Sequence, residues 1–243
     1  MNTTSMIDRM TEPRFMARTA GAFYLLMFPI GGLFFSRRAL VVTGNSAATA
    51  TNILAHVPLF RAAFAGDLLV VACYIVVTAL FYELFKPVSR SVSLIAAFFS
   101  VVGCTIQGFA CVFQLGSLVV LGPEQYLSVF NVEQRQALAF LSLKLYSQAY
   151  GIALVFFAFY GLLIGCLILK STFLPRFLGV LMVLAGLGWL TFLYPPFATK
   201  YFPYILPTSL GEGFLTLWLL VKGVNAERWN EQARASRQPQ VTQ

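Results

Sequence analysis

The sequence predicts an all-α fold, a polytopic membrane helical bundle of six transmembrane helices with both termini cytoplasmic. Three observations carry that prediction. The 243 residues are 58% hydrophobic and 11% charged, whereas soluble domains carry about 25% charged residues. Six apolar runs each reach the ~20 residues that a helix needs to cross the hydrocarbon core. Basic residues gather at alternate ends of those runs, the pattern that orients helices in a membrane.

The first run, Ala17–Phe35, follows a polar head holding Arg9, Arg14 and Arg18. Arg37 and Arg38 stand where the small residues of a signal-peptide cleavage site would be, so the run reads as an uncleaved first helix. Pro29 within it is tolerable if neighbouring groups satisfy the freed carbonyl. The second run is Leu59–Phe85, interrupted by Arg61 and Asp67. The third, Val92–Leu121, carries Gln107 and Gln114. The fourth, Leu138–Leu169, carries Lys144 and Gln148, and Asn131 is a plausible N-cap for an earlier start. The fifth, Phe177–Tyr194, is stopped by Pro195 and Pro196. The sixth, Tyr204–Val221, contains Pro207 and Glu212. Strands are excluded as spans because a barrel needs alternating segments of about 10 residues.

Between the runs, Ser46–Ala55 is Ala/Thr-rich and reads as a short helix on the outer surface, and Gly122–Ala137 as partly helical. No region of soluble composition accompanies the runs. The expected organisation is a cytoplasmic tail at 1–16, a six-helix transmembrane domain at 17–222 and a basic, polar cytoplasmic tail at 223–243. Trp229 in that tail either anchors a short helix at the headgroups or is solvated.

One side of the membrane receives Arg9, Arg14, Arg18, Lys86, Arg90, Lys170, Arg176, Lys222, Arg228, Arg234 and Arg237. The other receives Arg37, Arg38, Arg135 and Lys200. The richer side is cytoplasmic, which places the chain in the inner (plasma) membrane. The net charge of +8 thus reflects orientation and headgroup contact, with membrane lipids as partners. No basic run with interleaved exposed aromatics exists, which excludes nucleic acid.

The ionisable residues inside the runs carry the functional signal. A charge in hydrocarbon costs at least ~2.5–3.5 kcal/mol, so it persists with a partner, a cavity or a task. At ~1.5 Å rise per residue, Asp67 lies roughly 12 Å from the outer face, Lys144 about 9 Å, and Glu212 and Gln114 about 10 Å. Lys144, Gln148 and Gly151 share one helical stripe, as do Gln107, Cys111 and Gln114, and as do Asp67, Tyr74 and Thr78. Polar stripes are expected to face the bundle interior. Asp67, Lys144 and Glu212 are therefore expected to form an ionic cluster beneath the outer surface, with Gln114, Gln148 and Arg61 beside it. Such a cluster serves either as a ligand or ion pocket or as a clamp between helices. Arg61 lies close enough to the outer edge to snorkel.

Other features are modest. Glu83 and Lys86 suit a surface pair, and Gly161 with Gly165 permits close helix packing. Four cysteines without a CxxC pair, and the single His56, imply neither a disulfide framework nor a metal site; no cofactor is implied. HExxH, GxSxG and P-loop signatures are missing. The leading reading is binding or translocation of a small molecule, lipid or ion through a polar site in the outer half. The alternatives are a non-enzymatic membrane accessory or structural protein and a lipid- or quinone-modifying membrane enzyme.

The stretch Gly161–Trp189 (GLLIGCLILKSTFLPRFLGVLMVLAGLGW), with its Leu174-Pro175-Arg176 turn, resembles the bacterial domain-of-unknown-function family 4386, uncharacterised six-span integral membrane proteins. Ala50–Arg61 resembles that family's first outer loop, and Gly211-Glu212 with Leu217–Val224 its last helix. The resemblance implies an integral membrane fold and supplies no catalytic residues. It matches Glu212 to a Glu of the family pattern.

Overall fold

The computed structural model describes residues 12–236. The expected contributions of Arg9 and Arg237, and the outer parts of the tails at 1–16 and 223–243, lie outside the described residues. No strand occurs among the described residues. The α-helices are α1 (Pro13–Arg38), α2 (Ser46–Ala55), α3 (Val57–Phe85), α4 (Arg90–Leu121), α5 (Val132–Lys170), α6 (Arg176–Leu190), α7 (Pro195–Ile205), α8 (Leu210–Val221) and α9 (Ala226–Ala235). Short 3-10 turns cover Gln125–Val129, Thr191–Leu193 and Leu206–Ser209. Six helical stretches are long and apolar enough to cross a membrane: α1, α3, α4, α5, Arg176–Leu193 and Pro195–Val221.

Local chemistry sets the boundaries. α2 starts where the Asn45 side chain accepts the Ala48 amide at 2.9 Å, an N-cap that removes one orphan donor. A reciprocal capping box opens α5: Asn131 Oδ1 accepts from the Gln134 amide, and Gln134 Oε1 accepts from the Asn131 amide. Arg135 then donates Nε–H to the Val120 carbonyl and Nη2–H to the Gly122 carbonyl, closing the C-terminal end of α4. α5 has 39 residues, about 58 Å at ~1.5 Å per residue, so its ends project beyond a core of ~30 Å.

The last span differs from its expected extent. Pro195 and Pro196 follow the end of the fifth span, as expected, and they also occupy the first turn of α7, where a missing N–H costs nothing because that donor is unpaired in any helix. Lys200, expected in a loop, therefore sits within α7, exposed, with Nζ 5.4 Å from the Tyr201 ring centroid. Leu206–Ser209 continues as 3-10 helix into α8.

The chain forms two compact units. One comprises residues 26–73 and 104–153. Its core gathers Leu40, Ile53, Phe60 and Leu143. α2 is tied down by Thr49, whose hydroxyl accepts from the Val42 amide, and by Asn52 Nδ2, which donates to the Leu40 carbonyl. The other comprises residues 12–25, 74–103 and 154–236. Phe81, Leu84, Phe85, Tyr160, Ile164 and Leu178 are fully buried in it. The Gly161/Gly165 motif is a real close approach there. A Cβ on Gly165 would meet the Val183 amide and the Gly179 carbonyl, and one on Gly186 would meet the Leu162 amide, so α5 and α6 pack backbone to backbone. Trp229 on α9 donates Nε1–H to the Leu84 carbonyl at 2.8 Å, so its indole nitrogen bonds protein backbone. Glu83 and Lys86 form the expected exposed pair at 3.2 Å.

Candidate functional site

In the first unit, Gly66 and Asp67 lie on α3. A Cβ on Gly66 would press on Ile30 and Leu33, so the missing side chain lets α1 approach closely. Ile30, Leu33 and Arg37 stand at i, i+3 and i+7 on α1, one face of the helix. The result is a buried ion pair: Arg37 Nη1 donates to Asp67 Oδ2 at 3.0 Å. Tyr146 on α5 completes a triangle, accepting from Arg37 Nη2 at 2.8 Å and donating to Asp67 Oδ2 at 3.0 Å. The Arg37 guanidinium carbon also lies 4.2 Å from the Tyr146 ring centroid.

The charges in this triangle balance, and removing either partner would strand the other in a low-dielectric interior. The apolar run ends at Phe35, so the sequence reads Arg37 and Arg38 as loop flanks and leaves Arg37 outside the expected cluster. The helix runs on to Arg38, and the ~100° step between neighbours turns Arg37 inward while Arg38 stays exposed. The readable signal was the Gly66-Asp67 step facing an Ile30/Leu33/Arg37 stripe.

The stripe of Gln107, Cys111 and Gln114 faces inward as expected, and all three residues are buried. Gln114 is fully buried, its Nε2 donating to the Phe60 carbonyl at 3.5 Å, while its Oε1 accepts nothing among the described residues. The Lys144 stripe goes the other way. Lys144 and Gln148 are exposed, and Lys144 Nζ lies 5.4 Å from the Phe140 centroid. The inward face of α5 there is Ala139, Leu143 and Tyr146. A long ammonium stem can follow an apolar surface outward, and that freedom defeats the rule that polar stripes point in. Arg61 is exposed too.

Glu212 belongs to the second unit, in the first turn of α8. Trp189 Nε1 on α6 donates to Glu212 Oε1 at 2.9 Å. No Lys or Arg pairs with Glu212 among the described residues, and Oε2 accepts no hydrogen bond there. Glycines press α6 and the last span together on both sides of this contact. A Cβ on Gly188 would collide with Thr208, and one on Gly211 with the Leu181 carbonyl. Glu212 is partly exposed. Among the described residues the Glu212 side chain thus has one neutral donor and no counter-charge.

No group of three or more His, Cys, Asp or Glu positioned to hold a metal occurs among the described residues. His56 caps α2, its Nδ1 3.0 Å from the Asn52 carbonyl oxygen.

Six apolar helical spans, and polar side chains held between helices at span depth, define a multi-pass helical membrane protein. Residues 19–223 match the family described as Domain of unknown function (DUF4386), and the chain belongs to that family. It is also 22% identical over 158 residues to an uncharacterized protein of Archaeoglobus fulgidus, an alignment covering 65% of this chain and 82% of the relative. No solved structure matches.

Proposed function

We propose that this protein binds a small cation, inorganic or amine, and carries it into or across the membrane, with Glu212 as the ligand-binding carboxylate. The observation that carries the reading is the unbalanced state of Glu212, one Trp189 N–H against two carboxylate oxygens. A cation would supply the missing charge, and the Trp189 indole that contacts the carboxylate suits a desolvated amine. In this reading both termini lie in the cytoplasm, with tails at 1–16 and 223–243 flanking a transmembrane domain at 17–222 in the plasma membrane. The basic residues at the span ends support that orientation.

Melting of the purified protein in neutral detergent tests the reading with sodium, potassium and methylammonium as probes. At a hundredfold excess over Kd a bound probe stabilises by about 2.7 kcal/mol, or roughly 5–10 °C. Glu212→Gln should abolish the shift, and Asp67→Asn should lower the starting Tm yet keep it. A shift that survives Glu212→Gln contradicts the assignment.

The closed Arg37–Asp67–Tyr146 triangle favours a second reading for its own unit. There the charges fasten α1, α3 and α5, as in a membrane accessory protein. Absence of any shift with every probe would extend that reading to the whole chain.

A further inference from the structure

At the end of the second unit that holds the start of α1 and the end of α8, the chain builds a basic cavity. Gly223 adopts φ +67°, the left-handed conformation that ends a helix, and its amide and that of Lys222 both donate to the Trp218 carbonyl. The chain then turns under the α5–α6 connection, where the Asn225 amide donates to the Phe173 carbonyl at 3.2 Å. Asn225 caps α9 through the Arg228 amide. Gln232 Oε1 accepts from the Thr172 amide at 3.1 Å, so α9 is fastened to the same connection. These bonds frame a cavity of about 360 Å³ lined by Arg14, Lys222 and Arg228, with Thr172, Asn225 and Trp218 among its walls.

Among the described residues, three cations line that cavity and no carboxylate does. Arg228 donates one long bond, 3.4 Å, to the Thr172 carbonyl; Arg14 and Lys222 are exposed. Three like charges around one hollow repel each other until an anion enters. Guanidinium forks and an ammonium match the oxygens of a phosphate. The level of the cavity names the source of the phosphate. Arg14 is the second residue of α1 and Lys222 follows the last of α8, so the cations sit where spans meet the headgroups, and Trp218 is an aromatic of the kind that settles at that boundary.

We propose that this cavity binds the phosphodiester headgroup of an anionic phospholipid, with Arg14, Lys222 and Arg228 as its ligands. The site is independent of Glu212. Basic residues at a membrane surface each strengthen such binding by about fivefold.

Native mass spectrometry of the full chain, released from neutral detergent with added lipid, reads the bound adduct directly. Phosphatidylglycerol should bind well above phosphatidylcholine. Arg14→Gln and Arg228→Gln should each weaken it about fivefold, and Lys222→Arg should preserve it. Far-UV circular dichroism and Tm identify a variant that has not folded, and the intact Lys222→Arg and single-site variants then carry the comparison. Arg38→Gln, outside the cavity, should have no effect. Equal binding of both lipids, or full phosphatidylglycerol binding by folded Arg14→Gln and Arg228→Gln, overturns the proposal. Displacement of the lipid by millimolar inorganic phosphate would overturn the lipid assignment in favour of a soluble phosphate.

Discussion

Arg37 and Asp67 hold each other where neither is tolerated alone. Arg37→Met should destabilise by about 3–5 kcal/mol, because it leaves a buried carboxylate without its counter-charge. The double variant Arg37→Met with Asp67→Leu should recover most of that loss, a pattern that Tm measurements on the single and double variants will resolve. Tyr146→Phe removes one hydrogen bond to a charged group and should cost about 1.5–3 kcal/mol. The sequence made the acids legible, since Asp67 and Glu212 stand out in apolar runs. It did not make their partners legible. Lys144 was the nearer charge by depth, but its flexible stem lets it leave the interior, whereas Arg37 is committed inward by its place on the Ile30/Leu33 face of α1. Tyr146 gives no contrast as a tyrosine in an apolar run, and Trp189 reads there as an aromatic suited to helix packing or an interfacial belt.

Elements were easier to read than contacts. A short helix is expected at Ser46–Ala55 and is found with those bounds, because its composition and the Asn45 cap agree. The capping box at Asn131 sets the start of α5, and Asn131→Ala should lower stability by about 1 kcal/mol. Pro195 and Pro196 misled the reading of the last span, since a proline pair terminates one helix and opens the next with the same chemistry. The α6 contacts depend on glycine. Gly165→Ala and Gly211→Ala each drive a Cβ into backbone, so each should lower stability by about 1–3 kcal/mol through forced helix separation. Gly31→Ala, with nothing within 4 Å of the added atom, is the matching control, and thermal melts of the three variants check the difference.

For the whole molecule, composition and run length were enough to read a six-span membrane protein, because hydrocarbon imposes its demand on every residue of a span. Orientation rests on charge bias, and it predicts opposite exposure of two loops. In a background without native cysteines, a cysteine at Asn45 should react with a membrane-impermeant maleimide in intact cells, and one at Ser89 only after lysis. The two acids within the spans differ in their surroundings: Asp67 is closed by Arg37 and Tyr146, whereas Glu212 has Trp189 as its one side-chain donor among the described residues, which under the proposed function leaves it open to a proton or cation. A hydrophobic carbodiimide, which modifies protonated carboxyl groups in apolar surroundings, separates the two directly. After treatment of the native protein in membranes, peptide mass spectrometry should find the adduct on Glu212, reduced by a bound cation, and little on Asp67. Modification of Asp67 with Glu212 left unmodified would contradict the account.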